Sequence, residues 1–170
     1  MWPKNVFQGS DLTAERLREV LDYDPEAGHL TWKTTKSSRS SVGSVAGSMN
    51  ESGYWLIRVD GRHYRAHRLA WLHVHGRWPD RLIDHINGER ADNRLANLRD
   101  VSRSVNAQNQ RGVRKDCAVG IKGVAAHHRR FVAQIFIDGK HTHLGVFKTA
   151  QEAGEAYLAA KRAHHDGCTI

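Results

Sequence analysis

The chain has 170 residues, 39% hydrophobic and 26% charged, an ordinary balance for a globular protein and enough for one large domain or two small ones. No window approaches about 18 consecutive apolar residues, and Pro3, Lys4 and Asp11 interrupt the N-terminus, so we expect neither a membrane span nor a Sec signal. Lysine and arginine number 26 against 18 aspartates and glutamates, a formal charge of +8 with 12 histidines besides, and without a basic helix carrying a Trp/Phe/Leu face the expected partner is nucleic acid.

Leu17, Val20 and Leu21 repeat at i, i+3, i+4 and predict an amphipathic helix over 12–22, capped by Asp11 or Thr13. Pro25 and Gly28 end it, and 29–33 reads as a short strand containing Trp32. Residues 34–53 are rich in Ser and Gly, including Ser37, Ser38, Ser40, Gly43 and Gly47, the composition of a flexible connection. Two alternating runs, 54–59 and 62–65, flank Asp60-Gly61 and predict a tight hairpin. Residues 66–75 read as a helix stopped by Gly76 and Pro79, and 82–87 as a strand closed by a hairpin-type turn at Asn87-Gly88. A return strand is expected over 95–101, then a polar helix over 102–110 with Ser102 as its cap. Beyond a linker at 111–119, a second Asp-Gly hairpin joins 131–137 to 140–147, preceded by a short run at Gly123-Val124. Thr149 and Glu152 then open a helix over 149–164 with a capping box.

The segment Asp84-His85-Ile86-Asn87-Gly88-Glu89 puts a carboxylate and an imidazole side by side at a strand end. Asn97 follows 12 residues after His85, and Asn106 a further 9. A strand, a return strand and a helix would let Asn106 face the Asp84–His85 pair. Oxygen donors suit a hard divalent ion on a phosphate, and a neutral imidazole takes a proton from water near pH 7. Phosphodiester hydrolysis is the chemistry this division of labour serves. Successive strand residues point to opposite faces, so Asp84 and His85 would have to straddle the phosphate. On spacing alone they read equally as a surface cap and a solvated turn residue.

Ala66-His67-Arg68-Leu69-Ala70-Trp71, Ile83-Asp84-His85-Ile86-Asn87-Gly88, Asp92-Asn93-Arg94, Asn97-Leu98-Arg99 and Asn106, with Asp24-Pro25-Glu26-Ala27-Gly28-His29-Leu30-Thr31-Trp32 before them, resemble the HNH endonucleases of phage and homing type. The resemblance runs from about residue 20 to 110. It implies a ββα-metal nuclease fold acting on double-stranded DNA. His85 would be the general base, Asp84 and Asn106 the metal ligands, and Asn97 the residue that fixes the loop carrying His85. That oxygen-only set argues for Mg²⁺, with Mn²⁺ as the alternative, over Zn²⁺. Cys117 and Cys168, the only cysteines, lie 51 positions apart, so no structural zinc is expected and a reducing, cytoplasmic compartment is. Arg68 is a candidate phosphate contact, while His67 at a helix start reads as a packed or capping residue.

Gly120-Ile121-Lys122-Gly123-Val124, Phe131-Val132-Ala133-Gln134-Ile135, Leu144-Gly145-Val146-Phe147 and 149–157 resemble the APETALA-type, or ethylene-response-factor, DNA-binding domain. The resemblance implies a three-stranded sheet plus one helix, with the sheet in the DNA major groove. The matching DNA-facing positions are Lys122, Ala125, His127, Arg129, Arg130, Gln134, Lys140, His141 and His143. Ala125 stands where the plant domains usually carry arginine, Phe131 and His143 where they carry tryptophan, and Gln134 where they carry glutamate, so no sequence preference is carried over. Phe131, Leu144 and Phe147 read as sheet–helix core. The expectation is an α+β chain: an HNH nuclease region over 1–110 with its catalytic motif at about 66–110, a linker at 111–119 and a DNA-binding domain over 120–170. A non-catalytic DNA-binding regulator that keeps the fold is the first rival, and an RNA-binding protein the second.

Overall fold

In the computed structural model, which describes residues 12–35, 41–109, 112–113, 117–165 and 167–168, the first helix starts at Thr13. The Thr13 hydroxyl accepts from the Arg16 N–H at 3.1 Å, satisfying a donor that every helix start leaves open. Helix α1 (Ala14–Val20) buries Leu17 and Val20, as their spacing requires. Asp11, the other expected cap, lies outside the described residues. The helix stops earlier than its pattern suggested, because Leu21 is already extended (φ −130°, ψ 142°). Strand β1 (Leu21–Asp24) then pairs antiparallel with β2 (His29–Trp32). Leu21 and Tyr23 are buried and Asp22 and Asp24 exposed, a period of two over too few residues to stand out against the preceding helix.

The Ser/Gly-rich stretch departs most from expectation. Ala46 is fully buried, and its N–H donates to the Leu30 carbonyl at 2.7 Å. Strand β3 (Ser48–Met49) pairs with β4 (Trp55–Val59). Gly47 takes a left-handed φ of +88°, and a Cβ there would strike the Leu56 carbonyl. Small residues therefore mark close backbone packing here, not a flexible tether. Ser37, Ser38 and Ser40 lie outside the described residues.

Strands β4 and β5 (Arg62–Arg65) form the expected hairpin, with Asp60 at φ 46° and Gly61 at φ 83°, the successive positive angles of a tight two-residue turn. Helix α2 (Ala66–His75) ends where Gly76 turns left-handed at φ 71°. Strands β6 (Leu82–His85) and β7 (Leu98–Val101) pair from Leu82↔Val101 to His85↔Leu98. Asn87-Gly88 does not close this hairpin. The Gly88 N–H reaches the His85 carbonyl at 2.9 Å, yet φ is positive at Gly88 and not at Asn87. The chain wanders through 86–94 and a 3-10 turn, Leu95–Asn97, before it returns.

By its internal contacts the chain falls into two compact units, Met1–Val101 and Ser102–Ile170. The first has one core, from Leu12, Leu17 and Leu21 through Ile57 and Val59 to Leu69, Leu72 and Leu98. The second opens with α3 (Arg103–Asn109), where the Ser102 hydroxyl accepts from the Val105 N–H at 3.3 Å. Near the other end of that unit the Gly167 N–H donates to the Gln108 side chain at 3.0 Å. Of the expected linker, 111 and 114–116 lie outside the described residues.

Strands β8 (Val124–His127), β9 (Arg130–Ile137) and β10 (Lys140–Phe147) make an antiparallel sheet in the order β10-β9-β8, turning at Asp138-Gly139 (φ 49° and 81°). Helix α4 (Ala150–His164) starts from the expected capping box of Thr149 and Glu152. Phe131, Leu144 and Phe147 pack on Val124, Ala133 and Ala153 as sheet–helix core. The described chain is thus α+β, with four α-helices and small antiparallel sheets. None of its helices is long and apolar enough to cross a membrane. Gly123 holds φ +77° with the Tyr157 ring where a Cβ would sit, so Gly123→Ala is expected to cost ~2 kcal/mol in denaturant unfolding. A wild-type midpoint would refute that contact.

Candidate active site

His85 is the last residue of β6 and is buried. Its Nε2 lies 3.3 Å from Asn93 Oδ1, while Asn93 Nδ2 donates to the Ala91 carbonyl at 3.1 Å. That bond identifies the Asn93 nitrogen, and the oxygen facing His85 can only accept. The ring proton belongs on Nε2, which leaves Nδ1 as the basic nitrogen. Asn93 is itself fixed, being buried and accepting the Tyr23 hydroxyl on its backbone carbonyl at 2.7 Å.

The loop after His85 hangs on Asn97. Its Oδ1 accepts from the Asn87 N–H at 2.9 Å, its Nδ2 donates to the Asp92 carbonyl at 2.8 Å, and its carbonyl accepts the Ile86 N–H at 2.9 Å. One buried amide thus ties both ends of residues 86–92 together, so no second strand turn is needed there.

Asp84, one residue before His85, looks to a different neighbour. Its Oδ2 accepts from Arg99 Nε at 3.0 Å and Nη2 at 2.8 Å, across the Asp84↔Arg99 register of β6 and β7. Among the described residues no three His, Cys, Asp or Glu side chains gather to hold a metal ion. A carboxylate with amide oxygens is a hard donor set that suits Mg²⁺ and not Zn²⁺, and Mg²⁺ keeps much of its shell for water and phosphate. Asp84 and Asn106 would, by the chemistry of their oxygens alone, suit such an ion.

Residues 64–108 match the family model of the HNH endonucleases. That stretch contains Asp84, His85, Asn97 and Asn106 together. Comparison with curated proteins and with solved structures finds no match.

Within the matched stretch, His67 on α2 is buried and meets the His85 ring edge-on, with centroids 4.9 Å apart at 90°. Burial first, then His85, Arg65 and Arg68, push the His67 pKa well below the ordinary imidazole value. Burial likewise lowers that of His85, against the opposing pull of Asn93, Asp84 and Asp92. Both groups resist protonation when folded and accept it when unfolded, so stability is lost as pH falls below ~6.5. Each such group steepens the loss by up to ~1.4 kcal/mol per pH unit. His67→Leu is expected to shallow the fall between pH 7 and pH 5 by about one group's share in urea unfolding. A slope equal to wild type would show that His67 protonates freely in the fold.

The remaining candidates lie on other elements. Asn106 lies on α3 in the second unit. Arg68 is half-buried with its guanidinium over the Trp78 ring at 5.5 Å. Lys122 is half-buried, and its pKa is lowered by burial and by Lys161. His127, Arg129, Arg130, Gln134, Lys140, His141 and His143 are all exposed. Gln134 pairs with His143 and Phe136 with His141 across β9 and β10, so these four share one face of the sheet. Sequence reasoning assigned no role to Asn93 or Arg99. Asn93 was visible only as part of Asp92-Asn93-Arg94, and Arg99 becomes Asp84's partner only once the strand register is known.

Proposed function

We propose that the chain is a divalent-metal-dependent DNA endonuclease of the HNH type. The observation that carries this reading is the His85 ring, buried and oriented through Nε2 by Asn93 inside the matched domain. His85 Nδ1 takes a proton from a water whose oxygen bonds to phosphorus. The opposite P–O bond then breaks, and the leaving alkoxide takes a proton from solvent. Asp84, with Asn106 by its place in the matched stretch, would hold the ion, which when bound supplies positive charge to the phosphate and the leaving oxygen. Mg²⁺ is the preferred ion and Mn²⁺ the alternative.

The second unit is proposed to grip duplex DNA. Its exposed residues include Arg129, Arg130 and Lys140 at hairpin positions suited to phosphates, and Gln134, His141 and His143 on the sheet face. A tethered module raises the effective concentration of a small catalytic site on its substrate. The test is conversion of supercoiled plasmid in Mg²⁺, Mn²⁺ or EDTA. Metal-dependent nicking or linearisation is the expected result. Duplex binding without any cleavage, also on DNA of the chain's own genome, would favour a non-catalytic regulator.

A further inference from the structure

Beside the His67–His85 pair, two guanidinium groups gather on one aromatic ring. Arg65 stands 4.3 Å from the Tyr54 ring centroid and Arg90 5.0 Å from it. The same ring lies 5.6 Å from that of His67 and 6.2 Å from that of His85. Tyr54 connects the basic groups to the imidazoles.

The platform is built, not incidental. Asn50 Oδ1 accepts from the Ser52 and Tyr54 N–H groups at 3.1 and 2.9 Å, and the Asn50 N–H donates to the Tyr54 carbonyl at 2.9 Å. Arg90 Nη1 donates to the Ser52 carbonyl at 2.9 Å. A short closed loop thus fixes the ring, and one guanidinium is tied back to that loop. Arg65 sits on β5 immediately before α2, and Arg90 on the loop that Asn97 holds. The two cations therefore reach the ring from opposite sides of the sequence, 25 residues apart.

The two guanidinium groups share one ring, so two donor forks are held close to the His85 imidazole. Arginine's planar fork matches a phosphate, and an aromatic face preorganises that fork.

We propose that Arg65 and Arg90, held on the ring of Tyr54 beside His85, clamp a backbone phosphate of the DNA next to the bond that is cut. The proposal rests on the nuclease reading for its substrate. Tyr54 is a positioning residue, acting through the two arginines.

Binding of two fluorescent duplexes of unrelated sequence, measured by anisotropy in EDTA from 50 to 200 mM NaCl, tests the clamp without any cleavage. The double variant R65Q/R90Q is expected to bind both duplexes more weakly, and equally so. Its slope of log affinity against log salt should fall by about 0.9, the release of one phosphate's counterions. Tyr54→Leu should lose the same share, and Tyr54→Phe, which keeps the ring, should restore it. Arg16→Gln, an exposed cation already paired with Asp60 and Glu19, serves as the control and should leave the slope unchanged. Far-UV circular dichroism confirms that each variant is folded. A wild-type slope in folded R65Q/R90Q overturns the clamp, even if His85→Ala abolishes cleavage. A reduced slope in a protein that never cuts DNA upholds the clamp and overturns the nuclease reading. Tyr54→Leu with a wild-type slope removes Tyr54 from the proposal.

Discussion

His85→Ala is expected to lower metal-dependent plasmid cleavage by about 10²- to 10⁴-fold, the usual share of a positioned general base, while duplex affinity stays within a few fold. The loss follows from the ring's construction. Asn93 holds Nε2 at 3.3 Å with an oxygen that can only accept, so the imidazole presents one basic nitrogen and no alanine replaces it. Burial also shifts the acid limit of the reaction. Since the His85 pKa is lowered chiefly by desolvation, the neutral, proton-accepting form persists at lower pH than in a free imidazole. The acid limb of the rate profile should therefore fall below pH ~6.5, under conditions where chemistry is rate-limiting. His85→Gln keeps most of the side-chain volume and separates lost chemistry from lost packing. Wild-type cleavage by either variant, or an acid limb that begins above pH ~6.5, would remove His85 from the role of base.

Local chemistry was legible in the sequence, and long-range partnership was not. Asp60-Gly61 and Asp138-Gly139 announce hairpins because the turn itself demands positive φ at both positions. Gly76 as a helix stop and the Thr149–Glu152 box are equally local. Asn87-Gly88 shows the limit of that logic. The pair has turn chemistry, but Asn97 bonds both the Asn87 N–H and the Asp92 carbonyl, and these tertiary bonds send the chain on a longer course. Over 41–53, the reading of a tether fails for a related reason. Glycine signals mobility in isolation and close approach in a packed fold, and only the Leu56 carbonyl against Gly47 decides between them. Within the candidate site, Asp84 and His85 stand out by adjacency. The groups that orient them, Arg99 and Asn93, are 15 and 8 residues away and reach them only through strand register and loop closure.

Gly28→Ala should be the most destabilising small substitution near this site, costing ~3 kcal/mol in denaturant unfolding. Gly28 holds φ +73°, and a Cβ there would fall 2.5 Å from Arg94 N and 2.8 Å from the Asn93 carbonyl carbon. Both are backbone atoms, so no flexible side chain can give way. Strand β1 and the turn after it touch that backbone in two further places, through the Tyr23 hydroxyl on the Asn93 carbonyl at 2.7 Å and the Leu95 N–H on the Pro25 carbonyl at 3.3 Å. Gly61→Ala provides the comparison, because Gly61 has a similar φ of +83° with nothing within 4 Å of its Cβ position. It should cost only the conformational share, ~1 kcal/mol. The difference between the two variants isolates the contact with residues 93 and 94. Cleavage by the folded fraction should also fall for Gly28→Ala and not for Gly61→Ala, since moving the Asn93 backbone moves the oxygen that orients His85, and small misplacements of a reacting group are costly. Equal stability losses in the two variants would show that the β1–β2 turn does not support the site. A larger loss at Gly28 with unchanged cleavage would mean that Asn93 keeps its hold on His85 after its backbone shifts. The expected pattern gives the stretch from Asp24 to Trp32 a physical reason to accompany a histidine far along the chain: it is the surface against which that histidine's partner is set.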